Sequence, residues 1–290
     1  MNGIFLIDKE PGCTSRDVVN EIMRKTETVK VGHTGTLDPL ASGVLIVCVG
    51  RATKLVQHLT AADKRYLAEI TLGIATDTLD STGETIREEN VDVTDDAIIM
   101  AVNSMLGEYE QEVPIYSAIK VKGKKLYEYA RAKENVDLPR RMVNIMEIKI
   151  ASPINRENGR IVFSIECKVS KGTYIRSLVR DIASKLNTIG IMSNLRRLTQ
   201  GRFTIDECKK IDDISLSDIK PIQYCLKGVY TVCATGILKK EILNGKIIKN
   251  IYDSEKVLFI DDEDNVLALY YIYEKDTSML KPYVMIGGIK

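Results

Sequence analysis

Residues 32–49 read Gly32-His33-Thr34-Gly35-Thr36-Leu37-Asp38-Pro39-Leu40-Ala41-Ser42-Gly43-Val44-Leu45-Ile46-Val47-Cys48-Val49. The second part, Val44 to Val49, is a β-branched apolar run between Gly43 and Gly50. It predicts a central strand buried on both faces. The first part is a loop that feeds this strand. Its glycines permit backbone conformations other residues avoid, and Pro39 pushes Asp38 toward an extended conformation. A carboxylate on a rigid loop beside a central strand is how a preorganised nucleophile or base is mounted. The same residues also suit an Asx-Pro turn in which Asp38 only caps the backbone. No Gly-Lys-Ser/Thr follows, so the loop is not a P-loop.

Working outward, Gly3 to Asp8 predicts a short buried strand. Thr14-Ser15-Arg16-Asp17 resembles a capping box, with a helix running to about Lys25. A short helix is expected over 52–59 and a strand over 66–72. Thr94 caps a helix whose apolar positions are Ile98, Ile99, Val102, Met105 and Leu106. A strand is expected over 117–121 and a basic helix over 125–133. Two alternating strands, 142–150 and 160–169, flank the turn signal Asn158-Gly159. An amphipathic helix follows over 175–186, then an extended segment over 194–204. Beyond Tyr224 the pattern changes to short strands, read as a small all-β appendage. Strands and helices without a regular βαβ rhythm predict an α+β fold with a mixed, largely antiparallel sheet.

The 290 residues suffice for one large domain and a small satellite. A composition of 44% hydrophobic and 28% charged residues excludes collagenous, coiled-coil and disordered classes. No apolar run reaches the roughly 18 residues of a membrane span, and the N-terminus carries no basic leader. The six cysteines form no Cys-x-x-Cys, which predicts reduced thiols in a cytoplasmic protein. With two histidines, His33 and His58, the chemistry falls to carboxylate, Tyr, Lys or Arg. The formal net charge is +1, but it is segregated. Residues 168–202 carry net +7, residues 115–135 net +4, and residues 77–112 net −10. Basic stripes with interleaved tyrosines suit phosphate contact and base stacking; ordinary solvated helix faces would give the same count.

Residues 32–45 closely resemble the catalytic motif of the TruB family of tRNA pseudouridine synthases. Lys64-Arg65-Tyr66, Tyr116 to Lys120, Gly123 to Arg131, Ser170 to Arg176 and Leu195 to Leu198 match further blocks of that family, in family order. One departure stands near the N-terminus, where Lys9-Glu10-Pro11-Gly12 moves the family's proline by one. The resemblance implies a pseudouridine synthase fold over residues 1–224, with an RNA-gripping insertion at about 108–140. It implies a small PUA-like RNA-binding domain over 225–290. It also implies isomerisation of uridine-55 in the T-loop of tRNA, with base flipping, and with neither cofactor nor metal.

By resemblance, Asp38 is the nucleophile and Arg176 its cationic partner. A cation so placed lowers a carboxyl pKa by roughly 1–3 units, opposing the rise from burial. Tyr66 stacks on the target base and helps remove its C5 proton. Tyr174 and Leu195 line the pocket, and His33 inserts where the base left. Lys54, Lys64, Lys120, Lys124 and Lys125 are expected on RNA phosphates. The partner implied is the tRNA T-arm, with no membrane and no obligate protein partner. Two other readings use the same stripes: a non-catalytic tRNA-folding chaperone, and a relative that works in a guide-RNA complex.

Overall fold

The computed structural model describes residues 1–287. Its main sheet is built from β1 (Gly3–Lys9), β2 (Val31–His33), β3 (Ser42–Val49), β4 (Lys64–Leu72), β5 (Gly107–Glu112), β6 (Arg140–Ile150), β7 (Arg160–Val169) and β8 (Gly190–Gln200). The hydrogen-bonded order is β1-β3-β8-β4-β7-β6-β5, with β2 beside β3. Every pairing along this path is antiparallel except β3 with β8.

All eight residues of β3 are buried, because both faces are covered. Leu45, Val47 and Val49 enter a core shared with α1 (Ser15–Thr26) and the helix at Ile175–Lys185. Val44, Ile46 and Cys48 enter a second core on the opposite face. A strand with no solvent face needs no polar alternation, which is why its sequence is a continuous apolar run. In contrast, β4 and β7 alternate strictly between buried and half-buried positions. The Asn158-Gly159 turn has both residues at positive φ, 53° and 75°, as a two-residue hairpin requires. In α1, the Thr14 hydroxyl accepts from the Asp17 N–H while the Asp17 carboxylate accepts from the Thr14 N–H, so the capping box closes with Asp in place of Glu.

Two further helices join the main unit: α2 (Asp95–Asn103) and, in the insertion, α3 (Leu126–Ala132). The helix at Ile175–Lys185 is α4. Ile99 and Leu106 face solvent, and Ala101 takes the inward position on α2. The segment expected as a strand over 117–121 pairs only at Lys120–Val121, with Lys124–Lys125. Upstream, the Tyr116 carbonyl accepts from Arg176 and the Ser117 carbonyl from the Tyr127 N–H, so neither is free for a ladder. The segment expected as one helix over 52–59 is a 3₁₀ turn at Gly50–Leu55 followed by an α-helical turn at Val56–Thr60.

Beyond residue 224 lie β9 (Tyr230–Cys233), β10 (Lys256–Ile260), β11 (Val266–Tyr273) and β12 (Asp276–Met285), in a five-stranded sheet with Ile248–Lys249. The all-β reading of this tail is corrected by α5 (Gly236–Leu243). Only Ile242 of α5 is fully buried, so the helix leaves little apolar periodicity to read. The tail has a core of its own around Val257, Phe259 and Tyr270. Leu258, Val266, Leu269, Val284 and Ile286 pack instead on the back of β1 and β3. The expected boundary runs to residue 290, and its last three positions lie outside the described residues. Among the described residues no helix is long and apolar enough to cross a membrane.

Candidate active site

The loop 34–41 is held from several sides. On the far edge of β3 from β1, β2 pairs as far as His33 with Val47, and β8 pairs only at Ser42 and Gly43. Between these ends the Thr34 N–H still donates to the Ile46 carbonyl (3.1 Å), and side chains fill the rest of the gap. The buried Arg197 donates from Nε to the Val44 carbonyl (2.6 Å) and from Nη2 to the Gly35 carbonyl (3.2 Å). Gln200 Nε2 donates to the Thr34 carbonyl and hydroxyl, both at 2.8 Å. Gly43 has φ 103°, and a Cβ there would lie 2.2 Å from the Arg197 carbonyl oxygen. Lys9 is buried and donates to the carbonyls of Glu10, Pro39 and Ala41 at 2.9, 3.3 and 2.7 Å. The Gly12 N–H also donates to the Pro39 carbonyl (2.9 Å), so the turn with the displaced proline grips this loop.

Asp38 begins a turn closed by the Ala41 N–H on its carbonyl (3.0 Å), with Pro39 second in the turn. Its carboxylate does not cap that backbone. Oδ2 lies 3.0 Å from Arg176 Nε, and Oδ1 accepts from Arg176 Nη2 at 3.2 Å. Arg176 stands in the first turn of α4 and is almost wholly buried. Two further N–H groups go to the carbonyls of Thr78 and Tyr116, each at 3.0 Å. Asp80 Oδ2 lies 3.8 Å from Nε, and Asp80 Oδ1 is saturated by the Thr78 hydroxyl and by the N–H and hydroxyl of Thr82. Arg176 therefore sits between two carboxylates, its direction fixed by two carbonyls. Burial pushes the Asp38 carboxyl above its ordinary value, Arg176 pulls it back, and Asp80 adds to the rise. About 31% of the Asp38 side chain remains open, toward the adjoining cleft.

That cleft has a volume of ≈ 500 Å³. It brings together Asp38, Arg176, Tyr66, Tyr174, Leu195 and Lys64. Tyr66 and Leu195 are inward positions of the neighbouring strands β4 and β8. Tyr174 is the N-cap of α4, and its ring carries the Arg141 guanidinium at 5.3 Å. Lys64 is a buried wall group; its Nζ donates to the Thr60 and Ala62 carbonyls, both at 2.6 Å. Burial lowers its pKa to about 8.

Other predicted residues stand outside the cleft. His33 is half-buried at the end of β2, its Nδ1 accepting from the Gly35 N–H; burial and the nearby Arg197 and Arg16 lower its pKa. Lys54 reaches the Met285 carbonyl of the C-terminal sheet at 2.6 Å. Lys120, Lys124 and Lys125 lie on the insertion, where Lys124 pairs with Glu134 and Lys125 bonds the Tyr127 hydroxyl. The insertion nonetheless walls the cleft through Tyr116, Ser117, Ala118 and Tyr127.

Sequence reading missed Asp80, Lys9, Arg197 and Gln111. The buried Gln111 of β5 accepts from the Tyr174 N–H (2.8 Å) and donates to its carbonyl (3.1 Å), seating the start of α4. The only local signal was Thr78-x-Asp80-x-Thr82, a carboxylate flanked by hydroxyls. The basic stripe over 168–202 also has internal uses. Arg176 and Arg197 are buried, Arg180 pairs with Glu112 and Asp181, and Arg196 pairs with Asp8. No trio of His, Cys, Asp or Glu among the described residues is placed to hold a metal ion.

Comparison with known proteins follows the same outline. The family model described as TruB family pseudouridylate synthase (N terminal domain) matches residues 23–175. The chain is 39% identical to the tRNA pseudouridine synthase B of Bacillus licheniformis, over 97% of this chain and 96% of that one. It is 40% identical to the protein of that name from Staphylococcus aureus strain MSSA476, over 97% and 98%. Among solved structures, a Cbf5-Nop10-Gar1 complex aligns with TM-score 0.69 and 24% identity, over 99% of this chain and 85% of that one. An H/ACA RNP bound to a substrate RNA containing 2′-deoxyuridine aligns with TM-score 0.69 and 23% identity, over 98% and 85%. These two likenesses concern the fold.

Proposed function

The chain belongs to the TruB family of pseudouridine synthases, and from that premise we propose that it converts uridine-55 in the T-loop of tRNA to pseudouridine, using Asp38. The observation that carries this reading is the Asp38–Arg176 pair, opening on a cleft walled by Tyr66, Tyr174 and Leu195. The reaction breaks the N1–C1′ bond, turns the uracil, forms a C5–C1′ bond, and moves one proton from C5 to N1. Atoms balance without a co-reactant.

Asp38 acts on the ribose as an ionised carboxylate. Arg176 keeps it charged and aims both oxygens, its own position fixed by the Thr78 and Tyr116 carbonyls. Tyr66 stacks on the base and assists loss of the C5 proton. Leu195 and Tyr174 close the pocket around it. The base reaches them by flipping out of the T-loop, at a cost of a few kcal/mol that stacking offsets. His33, beside the loop rather than in the cleft, takes the vacated place in the RNA stack. Lys120, Lys124 and Lys125 of the insertion meet the RNA backbone, with Lys64 in the cleft wall. Lys54 is placed to reach the RNA only by giving up its carbonyl on the C-terminal sheet. The enzyme acts in the cytoplasm, without a protein partner.

The deciding experiment compares wild type with Asp38→Asn on a tRNA transcript. Loss of pseudouridine formation with tRNA binding within about threefold supports the enzyme. Undiminished pseudouridine in the variant excludes this role for Asp38; a wild type that binds and refolds tRNA yet forms none favours the chaperone.

A further inference from the structure

A second cavity of ≈ 390 Å³ lies where the main sheet meets the C-terminal sheet. Thr60 lines the catalytic cleft, whereas Leu59, Ala61 and Ala62 line the junction, so one turn of chain separates the two openings. The residues around the junction include no Asp or Glu among those described. Tyr271 and Tyr283 stack there, with ring centroids 4.4 Å apart and planes within 2°. The Lys256 ammonium lies 5.2 Å from the Tyr271 centroid. Tyr283 occupies one face of Tyr271, which leaves the other for the cation. His58 meets both rings edge-on and shares a hydrogen bond with the Tyr271 hydroxyl. Tyr283 ends the stack and is 42% exposed. Arg202 lies over the Phe203 and Tyr224 rings and gives one hydrogen bond to the Tyr224 carbonyl.

An open aromatic ring on a cavity that Arg202 also lines, with Lys256 behind the stack and Glu207 occupied by the Tyr224 hydroxyl, is a platform for unpaired nucleic acid. We propose that this junction is a second nucleotide-binding site, in which an unpaired base of the tRNA held at the catalytic cleft stacks on the outer face of Tyr283 and its phosphate meets Arg202, which lines the same cavity. The proposal rests on the tRNA reading above. If the tyrosines served only to join the two sheets, the terminal ring would owe nothing to RNA.

The test measures the Kd of the full chain for a full-length tRNA transcript, and pseudouridine yield in the same samples. Base stacking predicts about tenfold weaker binding for Tyr283→Ala, with Tyr283→Phe and Tyr283→Trp near wild type because a ring suffices. Arg202→Gln weakens binding and makes the salt dependence shallower by about one unit of slope. Equal affinity of Tyr283→Ala and wild type overturns the proposal, as does an equal loss in Tyr283→Phe. Should Tyr283→Ala fail to fold, Arg202→Gln at an exposed position decides, and unchanged affinity and slope overturn it. A wild type that binds tRNA but makes no pseudouridine counts against the enzymatic reading, not against this site, which is read from affinity.

Discussion

Arg176 spends its donors on one carboxylate and two carbonyls, so its fork geometry matters as much as its charge. Lysine offers a point charge without that fork. Arg176→Lys is expected to lower the single-turnover rate at least about a hundredfold, with tRNA affinity within a few-fold, as quench-flow and filter binding would read. Asp38, raised by burial, must lose its proton to act. Turnover should therefore fall as pH drops through a value above the ordinary carboxyl range, and a rate profile with no acid limb there would contradict this. Lys64 supplies a stability test. Its folded pKa, about 8, lies below the ordinary 10.5. Between these values the unfolded chain holds more protons, so stability rises with pH, by up to about 3 kcal/mol. Chemical denaturation at pH 7 and pH 10 should show this increment in wild type relative to Lys64→Met.

At the scale of elements, the loop 34–41 and its strand act as one part. Gly43→Ala puts a Cβ against the Arg197 backbone at a positive φ. It is expected to cost more than about 2 kcal/mol, a fall in Tm of several degrees, with activity lost as the loop shifts. The strand itself was legible because both its faces are apolar, and the loop because glycine and proline leave few conformations. The helix 175–186 was legible because its buried face repeats at helical spacing. What stayed hidden was long-range: Lys9 under Pro39, Asp80 beside Arg176, Gln111 under Tyr174. Each is one polar residue whose partner is fixed only by the fold. The strand expected over 117–121 failed for the same reason, since its carbonyls answer to Arg176 and Tyr127. The short helix Gly236–Leu243 buries too little to announce itself.

At the scale of the molecule, net charge misleads and so does the stripe over 168–202. Half of its eight basic residues serve the interior or internal ion pairs. The cations of the insertion and the cleft remain for RNA, which predicts a steep loss of tRNA affinity between 50 and 200 mM salt, about a hundredfold for the four contacts of Lys64, Lys120, Lys124 and Lys125. The C-terminal sheet covers the apolar back of β1 and β3. A chain truncated after residue 224 would expose Ile4, Leu6, Val44 and Ile46. It is expected to aggregate or unfold, as sedimentation and circular dichroism would reveal, rather than persist as a folded enzyme with weaker binding.

The parallel pairing of β3 with β8 joins Ser42 and Gly43 to Arg196 and Arg197, and Asp38 meets a guanidinium 138 residues further along. During synthesis the aspartate loop therefore emerges with Lys9 and Gly12 already made but long before Arg176 and Arg197 can hold it. At about 5–20 residues per second, the nascent chain spends on the order of ten seconds or more with this motif made but unassembled. Pairings so distant also make for slow folding. Until β8 has left the ribosome, a chain stalled mid-synthesis carries the whole of residues 32–49 and has no site with which to compete for tRNA.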